Sequence, residues 1–143
     1  MKSIFEDEDS FPQISVVTMH LMMASIHESE GKAEAAIVEY SQVCEYDPEI
    51  FQVYVNRGAL YSRLHQFKRA IRDFERASLL EPGVASTYLK LGDAYLAVDE
   101  AGQAEAAYLK CLELAPGNPA VVARLESLQR GRLGLEPLRI SAA

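Results

Sequence analysis

The strongest constraint in this sequence is a motif that returns every 34 residues. Tyr54, Gly58, Tyr61, Ala70, Phe74 and Pro82 are followed, one interval on, by Tyr88, Gly92, Tyr95, Ala104, Tyr108 and Pro116. The same interval backwards gives a more worn copy in His20, Ala24, His27, Ala36, Tyr40 and Pro48. A fixed period of about 20–50 residues signals stacked copies of one supersecondary unit, because no single copy can bury its apolar face alone. The chain is therefore expected to be a repeat protein.

Each copy carries two segments with helical spacing of apolar residues. Tyr54, Leu60, Tyr61 and Leu64 mark the first segment of the middle copy; Phe67, Ile71, Phe74 and Leu79 mark the second. Gly58 and Gly92 fall inside the first segments, where glycine costs about 1 kcal/mol against alanine. That cost implies a close helix approach, expected opposite Ala70 and Ala104. Pro48, Pro82 and Pro116 lack the amide donor needed to continue a helix, so each is expected to close a second segment. The turn between segments needs a residue that tolerates positive φ. Gly31, His65 and Asp99 stand there, and His and Asp are among the side chains enriched in that region.

The spacing Tyr54, Gly58, Tyr61, Ala70, Phe74, Ala77, Pro82 resembles the tetratricopeptide repeat, a helix-turn-helix unit of this period. The resemblance covers residues 17–118, with 119–130 similar to the solvating helix that ends such arrays. It implies an all-α fold, a right-handed α-solenoid of three units (about 17–50, 51–84 and 85–118) and a cap helix. Residues 1–15 are read as an acidic tail, 16–130 as the repeat domain and 131–143 as a mobile tail.

In this family the first helix of each unit lines a concave groove that typically holds a peptide or helix. Carried over by motif position, that face holds Thr18, Leu21, Met22 and Ser25 from the first repeat. Gln52, Val55, Asn56, Ala59 and Arg63 come from the second, and Ser86, Leu89, Lys90 and Asp93 from the third. Leu21, Val55 and Leu89 are equivalent positions and should form an apolar row, with donors from Asn56, Arg63 and Lys90 beside it. Such a surface suits a segment with apolar anchors and a carboxylate. Chaperone-binding members hold a C-terminal carboxylate in a basic and polar clamp. Asn56 matches one clamp position and Lys90 partly another, but Leu21, Ser25 and Ser86 stand where the remaining groups belong. That clamp is incomplete and is not expected to work here.

The first helix, about 16–29, is apolar nearly all round: Val16, Val17, Met19, Leu21, Met22, Met23 and Ile26. A helix without a polar face is buried on more than one side. Met19, Met22, Met23 and Ile26 are accordingly candidates for a second interface, covered by the N-terminal tail or by another chain, a homo-oligomer included; thioether side chains re-pack readily. Glu6, Asp7, Glu8 and Asp9 form an acidic run between Phe5 and Phe11, either solvated, docked back on the repeats or docked on a partner. At the other end Val121, Val122, Leu125 and Leu128 give the cap helix one apolar face. Leu133, Leu135, Leu138 and Ile140 follow in the C-terminal tail, candidates for docking in a groove.

Charge and motif searches narrow the function. A net charge of −7 argues against general nucleic-acid binding, which needs a basic stripe. No run of about 18 apolar residues is present, and MKSIFEDEDSF lacks the order of a signal peptide, so a cytoplasmic address is expected without membrane insertion. His20 and His27 are about 10.5 Å apart along a helix, too far to share an ion at about 2.1 Å per bond. Cys44 and Cys111 lie two repeat steps apart, roughly 20 Å, where a disulfide needs Cα atoms within about 7 Å. No nucleotide-loop, nucleophile-elbow or zinc-protease motif occurs. No enzyme, cofactor or metal is expected.

Charge is also unevenly spread. Residues 17–50 carry seven acids against Lys32, whereas 51–84 carry Arg57, Arg63, Lys68, Arg69, Arg72 and Arg76 against three acids. Alternating patches of this kind steer partners and allow self-association. The functional expectation is an interaction module, a scaffold or adaptor. The alternative is a dedicated chaperone for a secreted client, similar in size, charge and repeat number to the three-repeat chaperones of bacterial secretion systems.

Overall fold

The structure, a computed structural model, describes residues 14–136. Among these the elements are seven α-helices: α1 Val16–Ser29, α2 Ala33–Tyr46, α3 Phe51–Arg63, α4 Phe67–Leu80, α5 Ala85–Ala97, α6 Ala101–Leu114 and α7 Pro119–Arg132. The second helices α2, α4 and α6 begin 34 residues apart, in step with the motif. The chain divides into two compact units at the bond between Pro48 and Glu49.

The first unit is the α1–α2 hairpin. Ser15 caps α1 by accepting from the Thr18 amide at 3.1 Å. Its core is small: Ala24, Ala33, Ala36, Tyr40 and Val43 are buried, and the alanines let the two helix backbones approach. His20 points at α2, with Nδ1 2.6 Å from Glu39 Oε2 and its ring stacked on Tyr46 at 6.0 Å. Burial of α1 is less than its composition suggests. Ala24 is its one buried residue.

The second unit runs from α3 to α7. Its core gathers Ala70 and Phe74 of α4, Leu91, Ala94 and Tyr95 of α5, Ala104, Ala107, Tyr108 and Cys111 of α6, and Val121 and Leu125 of α7. The mid-helix glycines are explained differently from the expectation. A β-carbon at Gly58 would meet the Phe74 ring at 2.7 Å, and one at Gly92 the Tyr108 ring at 2.5 Å. Ala70 and Ala104 are fully buried, but the aromatic four residues further along fills the notch. A ring needs a missing side chain opposite it; an alanine does not.

The turns behave as the residue types require. Gly31 has φ 72°, His65 φ 58° and Asp99 φ 61°. Each lets the chain close a paired bond pattern at the helix end, such as Gln66 N–H to Tyr61 C=O at 2.8 Å with His65 N–H to Ser62 C=O at 3.0 Å. The second helices stop at Tyr46, Leu80 and Leu114, just before the prolines.

Two apolar assignments on helix faces fail. Leu79 is 74% exposed and Val122 is exposed too, because each lies on the solvent side of its helix turn. Asn118 caps α7 and Pro119 occupies its first turn, while the helix continues past the expected end to Arg132. Readings that concern 1–13 and 137–143, including the acidic run and the docking of Leu138 and Ile140, lie outside the described residues.

Candidate groove on the α3–α5 face

Within the second unit, α3 and α5 lie side by side as the first helices of consecutive hairpins. A cavity of about 250 Å³ opens between them, lined by Ala59, Ser62, Arg63, Phe67, Phe74, Lys90, Asp93 and Ala94. Four expected groove residues therefore meet around one space: Ala59 and Arg63 from α3, Lys90 and Asp93 from α5. Ser62, Phe67, Phe74 and Ala94 were not anticipated. Phe74 was assigned to the core, and it serves both, since one edge of its ring fills the Gly58 notch. Phe67 begins α4 and is half-buried, a position that helical spacing alone assigns to packing.

The other expected residues are placed as follows. Gln52 donates from Nε2 to Asn56 Oδ1 at 2.7 Å, so these two α3 side chains are tied to one another. Val55 and Leu89 are half-buried and Ser86 is exposed. Leu21, Met22 and Ser25 belong to α1 in the first unit, Leu21 half-buried and the other two exposed.

The electrostatics of the cavity are asymmetric. Asp93 is already answered: Arg124 of α7 reaches Oδ1 with Nε at 2.7 Å, and the Tyr108 hydroxyl donates to the same oxygen at 2.5 Å. Burial, then the Asp93 carboxylate, pushes the Tyr108 phenol well above its ordinary value, so it stays a donor. Arg63 and Lys90 have no carboxylate within ion-pair reach among the described residues. The cavity thus presents two unneutralised cations above a floor of aromatic carbon.

One buried ion pair fixes the helix that carries Arg63. Arg57 donates from Nε and Nη2 to the two oxygens of Asp73 at 2.8 and 2.7 Å, joining α3 to α4. Asp73 is 4% exposed, and a two-point pair of this kind sets the rotation of α3 as well as its spacing. Neither cysteine takes part in a disulfide, and burial raises the Cys111 thiol. Among the described residues no group of His, Cys, Asp or Glu could hold a metal ion, and no helix is long and apolar enough to cross a membrane.

Comparison with known proteins agrees with the helical hairpins. The tetratricopeptide repeat model matches residues 17–50, 51–83 and 85–118. The Hsp70-Hsp90 organizing protein of Triticum aestivum is 33% identical over 102 residues, covering 71% of this chain and 18% of that protein. The heat shock protein STI1 of Saccharomyces cerevisiae is 27% identical over 117 residues, covering 76% and 20%. The chain thus spans about a fifth of the length of these relatives. Among solved structures, the first TPR of Spaghetti (RPAP3) bound to the HSP90 peptide SRMEEVD superposes with a TM-score of 0.75 at 24% identity, covering 85% of this chain and 96% of that one. The Yersinia enterocolitica secretion chaperone SycD, in complex with a peptide of the translocator YopD, gives 0.75 at 18% identity, covering 85% and 99%. With three matched repeats, all-helical hairpins and the turn residues in place, the chain belongs to the tetratricopeptide repeat family.

Proposed function

We propose that this chain is a protein-interaction module, an adaptor that holds a short segment of a partner on the α3–α5 face. The observation that carries the reading is the pair Arg63 and Lys90, without acidic partners among the described residues, over the cavity floored by Phe67, Phe74 and Ala94. A segment pairing a small apolar side chain with a carboxylate satisfies both parts of that surface. Relatives of the same fold are seen with peptides of HSP90 and of YopD, which supports peptide capture as the general mode. Binding rather than catalysis, in a cytoplasmic setting, belongs to the same proposal.

Panning displayed random peptides against the wild-type chain tests it. Selected peptides should combine an apolar residue with a carboxylate. They should bind at least about tenfold weaker to an Arg63→Glu plus Lys90→Glu variant, a loss of about 1.4 kcal/mol. Both positions are solvent-accessible, so circular dichroism should be unchanged. Equal binding by wild type and variant would move the site off this face.

A second reading is favoured by α1. Met19, Met22, Met23 and Ile26 are 45, 54, 39 and 53% exposed, an apolar face on the first unit that none of the described residues covers. We assign it to a second contact, with another copy of the chain or with the apolar segment of a client, as a chaperone would require. A chaperone's client should aggregate when expressed alone; an adaptor's partner should not.

A further inference from the structure

The outer side of α4 carries charge that the fold does not explain. Positions 34 residues apart do the same structural work in each hairpin, so the repeats act as internal controls. Ala70, Phe74 and Ala77 correspond to Ala36, Tyr40 and Val43 in α2 and to Ala104, Tyr108 and Cys111 in α6, all buried. Lys68, Arg69 and Arg72 correspond instead to Glu34, Ala35 and Val38 in α2, and to Gly102, Gln103 and Ala106 in α6. The packing positions keep their character while these three become basic in α4 alone. They are not needed to build a hairpin.

Their placement also opposes local stability. Lys68 and Arg69 sit in the first turn of α4, where the helix dipole is positive and acidic side chains are favoured. That turn holds no acid, and Gln66 makes no side-chain cap bond. A run of cations kept where the helix itself disfavours it points to an outside anion.

The surface around them is shaped. Two open depressions adjoin at Lys68 and Val98. One, about 520 Å³, is bounded by His65, Phe67, Lys68 and Arg69; the other, about 420 Å³, by Lys68, Ile71, Arg72 and Tyr95, with Glu100 also on its wall. Arg69 is held in place, its guanidinium 5.8 Å from the Tyr61 ring centroid and bonded to Gln66 Oε1 at 3.0 Å. Lys68, Arg69 and Arg72 are exposed and have no carboxylate within ion-pair reach among the described residues.

We propose that this strip of α4 is a second docking surface, which shares Phe67 with the α3–α5 cavity but none of its charged residues, and that it takes an acidic protein segment. The match is one of charge and shape: consecutive carboxylates along Lys68, Arg69 and Arg72, with an aromatic or aliphatic side chain over Phe67, Ile71 and Val98. The chain's overall charge of −7 repels a nucleic-acid backbone but leaves this local patch attractive to a short acidic peptide.

Fluorescence anisotropy with the full chain tests the proposal. The probe is a labelled peptide of alternating glutamate and aspartate between two phenylalanines, with its Gln/Asn counterpart as the neutral probe. The acidic peptide should bind the wild type and weaken steeply as salt shortens the screening length from about 10 to about 3 Å. Lys68→Glu plus Arg72→Glu should weaken it at least about tenfold, and Arg63→Glu plus Lys90→Glu, which leaves the α4 strip intact, should weaken it several-fold less. Should the reversal variant fail to fold by circular dichroism, Lys68→Gln plus Arg72→Gln gives the same reading. Unchanged binding in the α4 variants, equal binding of the neutral peptide, an equal loss in the cavity variant, or tighter binding of a duplex RNA would each overturn it.

Discussion

Gly92 and Tyr108 are made for one another: a β-carbon on Gly92 would stand 2.5 Å from Cε1 of Tyr108. The ring is fully buried and its hydroxyl is tied to Asp93, so it has little freedom to yield. Gly92→Ala should therefore destabilise the chain. Overpacking costs about 1–3 kcal/mol, and alanine's better helix propensity returns at most about 1. Gly102→Ala is the control, a helical glycine with nothing within 4 Å of its missing side chain. It should be neutral or stabilising by up to about 1 kcal/mol in urea denaturation.

The Arg57–Asp73 pair should behave as a buried one. Its side chains are 17 and 6% exposed, and both Asp73 oxygens are used. Asp73→Ala leaves the guanidinium inside without its carboxylate and should cost about 3 kcal/mol. A loss below about 1 kcal/mol would show that the pair acts like a surface one.

Alkaline pH should weaken the second unit. The Tyr95 phenol is pushed up to about 12, by burial first and then by Glu75, whose carboxylate accepts from its hydroxyl. Tyr108 is raised in the same direction by burial and Asp93. In the unfolded chain both would titrate near about 10. Between pH about 10 and about 12 the folded protein keeps protons that the unfolded one has lost, so stability falls as pH rises and is intact below about 10. A Tyr95→Phe plus Tyr108→Phe variant should show a flatter urea midpoint across that range.

Arg124 neutralises Asp93 across the end of the cavity. The pair is half-exposed, so Arg124→Ala should cost no more than about 1 kcal/mol of stability. It would leave the Asp93 carboxylate charged beside Lys90. Acidic peptides selected on the α3–α5 face should then bind several-fold more weakly, by anisotropy. Unchanged affinity would place their carboxylates away from Lys90.

The α1 face predicts self-contact. Val16, Met19, Met23 and Ile26 are all exposed at spacings of three and four residues, the seam of a helix pair. Sedimentation of the wild type should show concentration-dependent association that Met19→Glu plus Met23→Glu removes. A wild type that stays monomeric at high concentration would leave α1 without a second copy.

Much of this molecule was legible as a pattern. The recurrence of Tyr54, Gly58, Ala70, Phe74 and Pro82 gave the hairpins, and His65 and Asp99 were correctly read as positive-φ turn residues. Ala59, Arg63, Lys90 and Asp93 do gather around one cavity. Less legible were the partner of each glycine, the exposure of Leu79 and Val122, and the lining role of Phe67 and Phe74. Spacing places a residue on a helix face to within about one turn, but a neighbour's shape decides which side of that face is covered.

The order of residues alone set the helical hairpins, their turns and the repeated buried anchors Tyr40, Phe74 and Tyr108, because these depend on local backbone rules repeated at one period. Which charges stayed unpaired was settled only by folding. Asp93 and Lys90 are one turn apart in sequence, yet Arg124, thirty-one residues on, neutralises the first and leaves the second open. Ion pairing depends on distances across the packed helices, and those exist only once the hairpins have come together.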